Sequence, residues 1–415
     1  MLAHSVLFSR RAIASCVALT ALALGGCSGS SGDDPEGKGG KSGVSGGGSS
    51  STDNTSHGAT GSGGSNPVVV PNGISSAADL ARKLGRPANF LIGLGNDLPS
   101  DYKWENASAL NLGTNIDLHY VYITYGWANW NPGGYFAQTI AKEDRKKDTV
   151  PMVSVYGMTG RGEARLDVLA DDSYMNQYWE EAKLLMQRYA ELDTPAIVHL
   201  EPDFWAYAQQ QTQGDPKNAP AHLHPDCKGL PQDISGMARC WFKLARDNAP
   251  KVAVGLHASE WGGENVGDYL SKLGAAESDV VFIDMLDRDA GCFEDGKLDQ
   301  CKRGGTFYLD ETNQTSPNYS ERLAFAKHVS EATKKPIMWW QLPLGVPSET
   351  PGGTSGHFRD NKVHYVFNHI QEFVDAGGVG AAFGVGADGQ TTVDTDGGQF
   401  KNAVKAYYEN PVALP

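Results

Sequence analysis

The chain has 415 residues, a formal net charge of −14, 9 tryptophans and 16 tyrosines. That acidity disfavours nucleic acid and anionic membrane surfaces as partners and suits a neutral ligand. The length admits either two domains of ordinary size or one large α/β barrel.

At the start, Arg10 and Arg11 precede an apolar run from Ala12 to Leu24, followed by Gly25, Gly26 and Cys27. The run is shorter than the ~20 residues a membrane span needs, so residues 1–26 read as a signal peptide rather than an anchor helix. Leu24-Gly25-Gly26-Cys27 resembles the lipobox of bacterial lipoproteins. The resemblance implies export, diacylation of Cys27 as the first mature residue, and attachment to a membrane through that lipid. In the family pattern Ser28 goes with outer-membrane or cell-surface placement. The segment 27–66 is rich in Gly and Ser and holds no apolar cluster, so it reads as a flexible tether with a root-mean-square reach of ~35 Å.

From residue 67 to 415 short apolar runs alternate with longer amphipathic segments, the pattern of a parallel sheet covered by helices. Eight runs are expected as strands: Asn89 to Gly95, Leu118 to Ile123, Val150 to Tyr156, Ala196 to Glu201, Val252 to His257, Val280 to Asp284, Pro336 to Gln341 and Val379 to Gly384. Helices are expected over Tyr135 to Lys147, Ser173 to Leu192, Ile234 to Asn248, Val266 to Gly274, Tyr319 to Lys334, Asn361 to Ala376 and Gln399 to Glu409. The first connection is the weakest, with only Tyr102 to Leu112 available for a helix. Eight strand-helix units predict a (β/α)₈ TIM-type barrel as a single domain. An open doubly wound sheet is the rival, but Gly93-Leu94-Gly95-Asn96-Asp97 lacks the third glycine of a dinucleotide fingerprint, and no cofactor is expected.

In such a barrel function gathers where strands end. The second strand is followed by Tyr125, Trp127 and Trp130, and the third ends in Tyr156. The fourth carries His199 and stops on Glu201, Pro202, Asp203, Phe204 and Trp205. His257, Ser259, Glu260 and Trp261 close the fifth, Asp284 the sixth, and Trp339, Trp340 and Gln341 the seventh. Each tryptophan taken singly suits packing, but together they suit a cleft whose flat apolar faces stack against sugar rings.

Glycoside hydrolysis needs two carboxyl groups about the scissile bond. The candidates are Glu201 or Asp203 on strand four and Asp284 on strand six. Desolvation beside Phe204 and Trp205 favours the strand-four acid as proton donor and Asp284 as its anionic partner. Pro202 interrupts the alternation of faces, so the choice between Glu201 and Asp203 stays open. His199 and His257 suit orienting hydrogen bonds better than ligation, and no metal site is expected. His222-Leu223-His224-Pro225-Asp226 offers imidazoles and a carboxylate, but it reads as a polar loop. Asp287-Arg288-Asp289 reads as an ion-pair cluster that could hold Asp284 ionised.

The segment Val198-His199-Leu200-Glu201-Pro202-Asp203 resembles the strand-four motif of family-6 cellulases, which implies that Asp203 is the catalytic acid. It resembles more loosely the Asn-Glu-Pro motif of retaining barrel glycosidases, which implies Glu201 instead. Family-6 barrels are incomplete, whereas eight strands are expected here, and the retaining enzymes end strand seven in Glu, where this chain has Gln341.

Four cysteines remain in the mature domain, Cys227, Cys240, Cys292 and Cys301. An even number in an exported chain suggests two disulfides. Three pairings exist, of which the sequence-local one joins Cys227 to Cys240 and Cys292 to Cys301. The resulting expectation is an exported, lipid-anchored monomeric glycoside hydrolase acting on a neutral polysaccharide, with a non-catalytic glycan-binding lipoprotein as the alternative.

Overall fold

The computed structural model describes residues 68–95, 97–131, 133–162, 164–285, 309–344, 362–384 and 392–415. Cys27, the signal peptide, the tether, Cys292, Cys301 and the Asp287-Arg288-Asp289 cluster lie outside these residues. Eight parallel strands close into a barrel in chain order. They are β1 (Leu91–Gly95), β2 (Leu118–Thr124), β3 (Val150–Tyr156), β4 (Ala196–Leu200), β5 (Val252–Ala258), β6 (Val280–Ile283), β7 (Ile337–Pro343) and β8 (Gly378–Gly384). β1 pairs with β8 through Leu91↔Gly380 to Gly95↔Gly384, which completes the ring. All eight strands are buried along nearly their whole length. Helices cover one face of such a sheet and side chains fill the other, so the strands read as continuous apolar runs.

The helical layer holds α1 (Ala77–Lys83), α2 (Phe136–Lys146), α3 (Asp172–Leu192), α4 (Phe204–Gln211), α5 (Ile234–Asn248), α6 (Val266–Lys272), α7 (Tyr319–Thr333), α8 (Lys362–Asn368), α9 (Ile370–Asp375) and α10 (Gln399–Glu409). Three differences from expectation have local causes. The segment expected as one helix over Asn361 to Ala376 breaks at His369, whose backbone leaves the helical region and whose Nδ1 lies 2.8 Å from Glu372. In the first connection, Tyr102 to Leu112 yields only two short 3₁₀ turns, Trp104–Asn106 and Ala109–Asn111. α4 begins directly at the aromatic residues that read from sequence as a loop.

The amino-terminal end of the barrel is tied by charge. Asp279 accepts the backbone N–H of Val254 on Oδ2 (3.1 Å) and that of Ile74 on Oδ1 (3.2 Å), while Lys83 approaches Oδ2 at 3.3 Å. Lys335 donates to the Ile74 carbonyl at 2.9 Å, and burial pulls its ammonium down to about 8. Cys227 and Cys240 form a disulfide across 13 residues, with Cα atoms 5.5 Å apart, fastening the long α4–α5 loop to α5.

Inside the ring, Tyr120, His199, His257, Phe282 and Trp340 pack ring against ring. Such crowding requires missing side chains elsewhere. A Cβ on Gly255 would stand 2.5 Å from the Val280 carbonyl oxygen and 2.8 Å from the Phe282 ring. We therefore expect Gly255→Val to destabilise the fold by about 1–3 kcal/mol through overpacking, read as a lowered denaturation midpoint with an unchanged m-value.

Candidate active site

β4 ends at Leu200, and Glu201 continues the ladder by donating its N–H to the Val155 carbonyl at 2.8 Å. The chain then leaves extended geometry. Glu201 has φ +46° and Asp203 φ +68°, a left-handed pair flanking Pro202. Non-glycine residues in such regions cost about 1–3 kcal/mol each and persist only where surroundings over-determine them. The outcome is that the two acids part company.

Glu201 turns behind the rim and is fully buried. Its oxygens accept from the N–H groups of Gly157 and Met158, each at 3.0 Å, where the chain forms a 3₁₀ turn after β3. Tyr178 of α3 also bonds to it, and that hydroxyl in turn accepts from the Trp241 indole N–H at 2.7 Å. Burial pushes the Glu201 carboxyl up to about 8, against the opposing pull of these donors. With both oxygens engaged, it is a clamp between the ends of β3 and β4.

Asp203 faces the mouth instead. It occupies the N-cap position of α4 without capping it by its side chain. Its Oδ1 accepts from Ser259 Oγ at 3.2 Å and from Trp261 Nε1 at 3.0 Å, both on the segment after β5. Asp284, at the end of β6, accepts the Glu260 N–H at 3.2 Å and lies 4.0 Å from His257 Nε2. One ligand-type atom from each of Asp203, His257 and Asp284 lies within 4.8 Å of the others. These three could each offer an atom to a cation, and they are equally an acid–base set without one. Behind them, His257 Nδ1 is 3.0 Å from His199 Nε2, and His199 Nδ1 is 3.0 Å from Ser154 Oγ.

The aromatic residues sort into three groups. Trp340 packs edge-on to His199 and His257 within the ring, and Tyr122 stands beside it and beside Tyr156. Trp261 packs on Tyr207 at 4.7 Å, half-buried beside Asp203. Tyr125 stacks on Tyr174 at 4.2 Å and Trp130, 44 % exposed, meets Phe136 edge-on, so both sit over α2 and α3 at the outer rim. Trp127 is buried beneath that loop.

Four positions expected at the mouth, Trp339, Trp205, Glu260 and Gln341, are buried. Trp339 alternates with Trp340 and therefore faces the helix layer, packing on Phe373 at 4.7 Å. Trp205 is wholly buried, its indole N–H spent on the Leu200 carbonyl at 2.9 Å. Glu260 is buried and paired with Arg322 of α7 at 2.7 Å. Gln341 is buried with φ +55°. In the His222–Asp226 loop, Asp226 meets Lys183 at 2.8 Å and His224 Nδ1 at 3.5 Å, His224 also accepts the Asp226 N–H, and His222 turns away to Asn176 at 3.1 Å and Asp172 at 3.0 Å. Ser154 was not singled out from sequence, although a hydroxyl in the middle of an otherwise apolar strand marks it.

No protein-family model matches the chain, and no curated protein sequence does. Among solved structures it is similar to a Cellulomonas fimi endo-β-1,4-mannanase double mutant, with 14 % identity, 82 % of this chain and 76 % of that one covered, and a TM-score of 0.48. Thermotoga maritima Cel5A in complex with cellobiose follows at 10 % identity, 79 % and 99 % coverage, and a TM-score of 0.48. A β-mannanase from a symbiotic protist of the termite Reticulitermes speratus stands at 10 % identity, 84 % and 96 % coverage, and 0.47. Likenesses at this level carry no argument about activity.

The clamp has a pH signature. A carboxyl raised in the folded state to about 8, from 4.5, binds more protons folded than unfolded across that interval. Its contribution to stability is therefore full below about 4.5 and declines as pH rises through 8, by at most roughly 1.4 kcal/mol per unit. Glu201→Gln should remove that slope. Thermal unfolding from pH 5 to pH 9 checks this, and parallel profiles for both proteins would contradict it.

Proposed function

We propose that the protein is an exported, lipid-anchored, monomeric glycoside hydrolase that cleaves a neutral polysaccharide by double displacement, with Asp203 as acid and Asp284 as nucleophile. The observation that supports this reading is the approach of Asp203 and Asp284 oxygens to within 4.8 Å beside an aromatic-walled mouth. Retaining enzymes hold their carboxyls about 5–5.5 Å apart, whereas inverting ones leave a wider gap for water.

The donors suit a division of labour. Asp203 takes both of its described hydrogen bonds on Oδ1, which leaves Oδ2 to carry the proton. Asp284 accepts a backbone N–H, which favours its anionic form. In the first step Asp203 protonates the glycosidic oxygen as Asp284 attacks the anomeric carbon, so the C–O bond breaks and a glycosyl ester forms. In the second, Asp203 takes a proton from water, whose oxygen attacks the anomeric carbon and releases the Asp284 carboxylate. Trp261 with Tyr207 forms a face on which a sugar ring can stack.

Incubation with a panel of neutral polysaccharides should release reducing ends, and proton NMR of the first product should show retained anomeric configuration. Asp203→Asn and Asp284→Asn should each lower kcat about 10²–10⁴-fold while glycan affinity is nearly kept. Full activity in both variants would exclude this chemistry. The anchor is tested separately: Cys27→Ser should move the protein from the membrane fraction to the soluble one.

A further inference from the structure

We infer that Ser154 and His199 are positioning residues that select the tautomer of His257, so that its Nε2–H, and not a lone pair, faces Asp284. The clause about Asp284 rests on its proposed role as the anionic nucleophile; the tautomer assignment stands on the hydrogen-bond chain alone. Four groups are in line. Ser154 Oγ lies 3.0 Å from His199 Nδ1, His199 Nε2 lies 3.0 Å from His257 Nδ1, and His257 Nε2 lies 4.0 Å from Asp284.

A neutral imidazole donates from one nitrogen and accepts at the other. Burial holds His199 well below the usual histidine range, so it enters the chain neutral. With His257 also neutral, two ordered arrangements are possible. If the Ser154 hydroxyl donates to His199 Nδ1, His199 donates from Nε2 to His257 Nδ1, and the remaining hydrogen of a neutral His257 lies on Nε2, toward Asp284. If every donor is reversed, a lone pair of His257 meets the carboxylate, which is repulsive when Asp284 is ionised. A hydroxyl can donate or accept, but among the described residues His199 Nδ1 is the only hydrogen-bond partner of the buried Ser154 hydroxyl, so only the first arrangement gives its proton an acceptor.

The rings are not free to escape the chain. His199 stacks on Phe282 with centroids 4.0 Å apart and meets Trp340 edge-on at 4.7 Å, and its side chain is wholly buried. Ser154 and His199 sit opposite each other in the β3–β4 register, so backbone pairing sets their separation. Both are removed from the mouth by His257, and neither is argued to touch substrate.

The test is a two-bond ¹⁵N–¹H correlation spectrum of the full chain with ¹⁵N-labelled histidine, the signals of His199 and His257 assigned from His199→Gln and His257→Gln. In the unaltered protein both rings should show Nε2–H with an unprotonated Nδ1. Ser154→Ala should mix the tautomers of both rings and lower kcat about tenfold with KM unchanged. His199→Phe should mix the His257 tautomers, whereas His199→Gln, whose amide N–H₂ can replace the Nε2 donor, should preserve them. An Nδ1–H tautomer of His257 in the unaltered protein, or unchanged tautomers in Ser154→Ala, overturns the inference. Because the unaltered spectrum is read without substrate, a protein lacking glycosidase activity but showing the Nε2–H pattern would sink the proposed function and leave the positioning intact.

Discussion

A closed ring of eight strands encloses a space whose width is set by strand number and tilt, and everything inside must fit that width. Here the space is shared by large rings from β2, β4, β5, β6 and β7, and it is kept passable by glycines where those rings press closest. Gly95 and Gly384 flank Tyr120, and Gly255 yields room to Phe282. Among the polar groups of this interior, one file runs from the Ser154 hydroxyl through two imidazoles to a carboxylate at the mouth. Burial makes an unmet donor or acceptor costly, so the file stabilises the core only while each group meets the next.

At the mouth, position is decided by backbone strain as much as by side-chain chemistry. The left-handed residues after β4 swing one acid into the protein and the next one out. The inward acid then holds the turn after β3, and that turn shares its hydrogen bonds with α3, where Tyr174 donates to the Gly157 carbonyl at 2.6 Å. Sequence adjacency thus conceals a division between support and chemistry. Trp339 and Trp340 repeat the lesson on β7, one sealing the sheet against helices and its neighbour lining the interior.

The barrel was legible because parallel strands buried on both faces leave apolar runs of characteristic length, and all eight of them were found within a few residues of their observed bounds. Asp203, His257 and Asp284 were each readable as strand-end polar groups. Their approach at one mouth was readable too, because parallel strands of a barrel all deliver their carboxyl ends to the same rim. Glu201 and Asp203 could not be separated in advance, because no local pattern announces two positive φ angles around a proline. Trp205 looked like a rim residue for a related reason: α4 starts at once after the turn, and its first aromatic residues pack down rather than out. Ser154 left a faint mark, one hydroxyl among apolar neighbours.

The support of Glu201 reaches farther than the barrel. Its partner Tyr178 receives the Trp241 indole N–H, and Trp241 directly follows Cys240, one half of the disulfide that fastens the α4–α5 loop. A covalent bond thus stands one residue from the outermost link of the chain that braces the turn after β3. Closing it does more than toughen a loop, because it sets the last brace behind the cleft, so that oxidation of two thiols and a fully supported mouth arrive together.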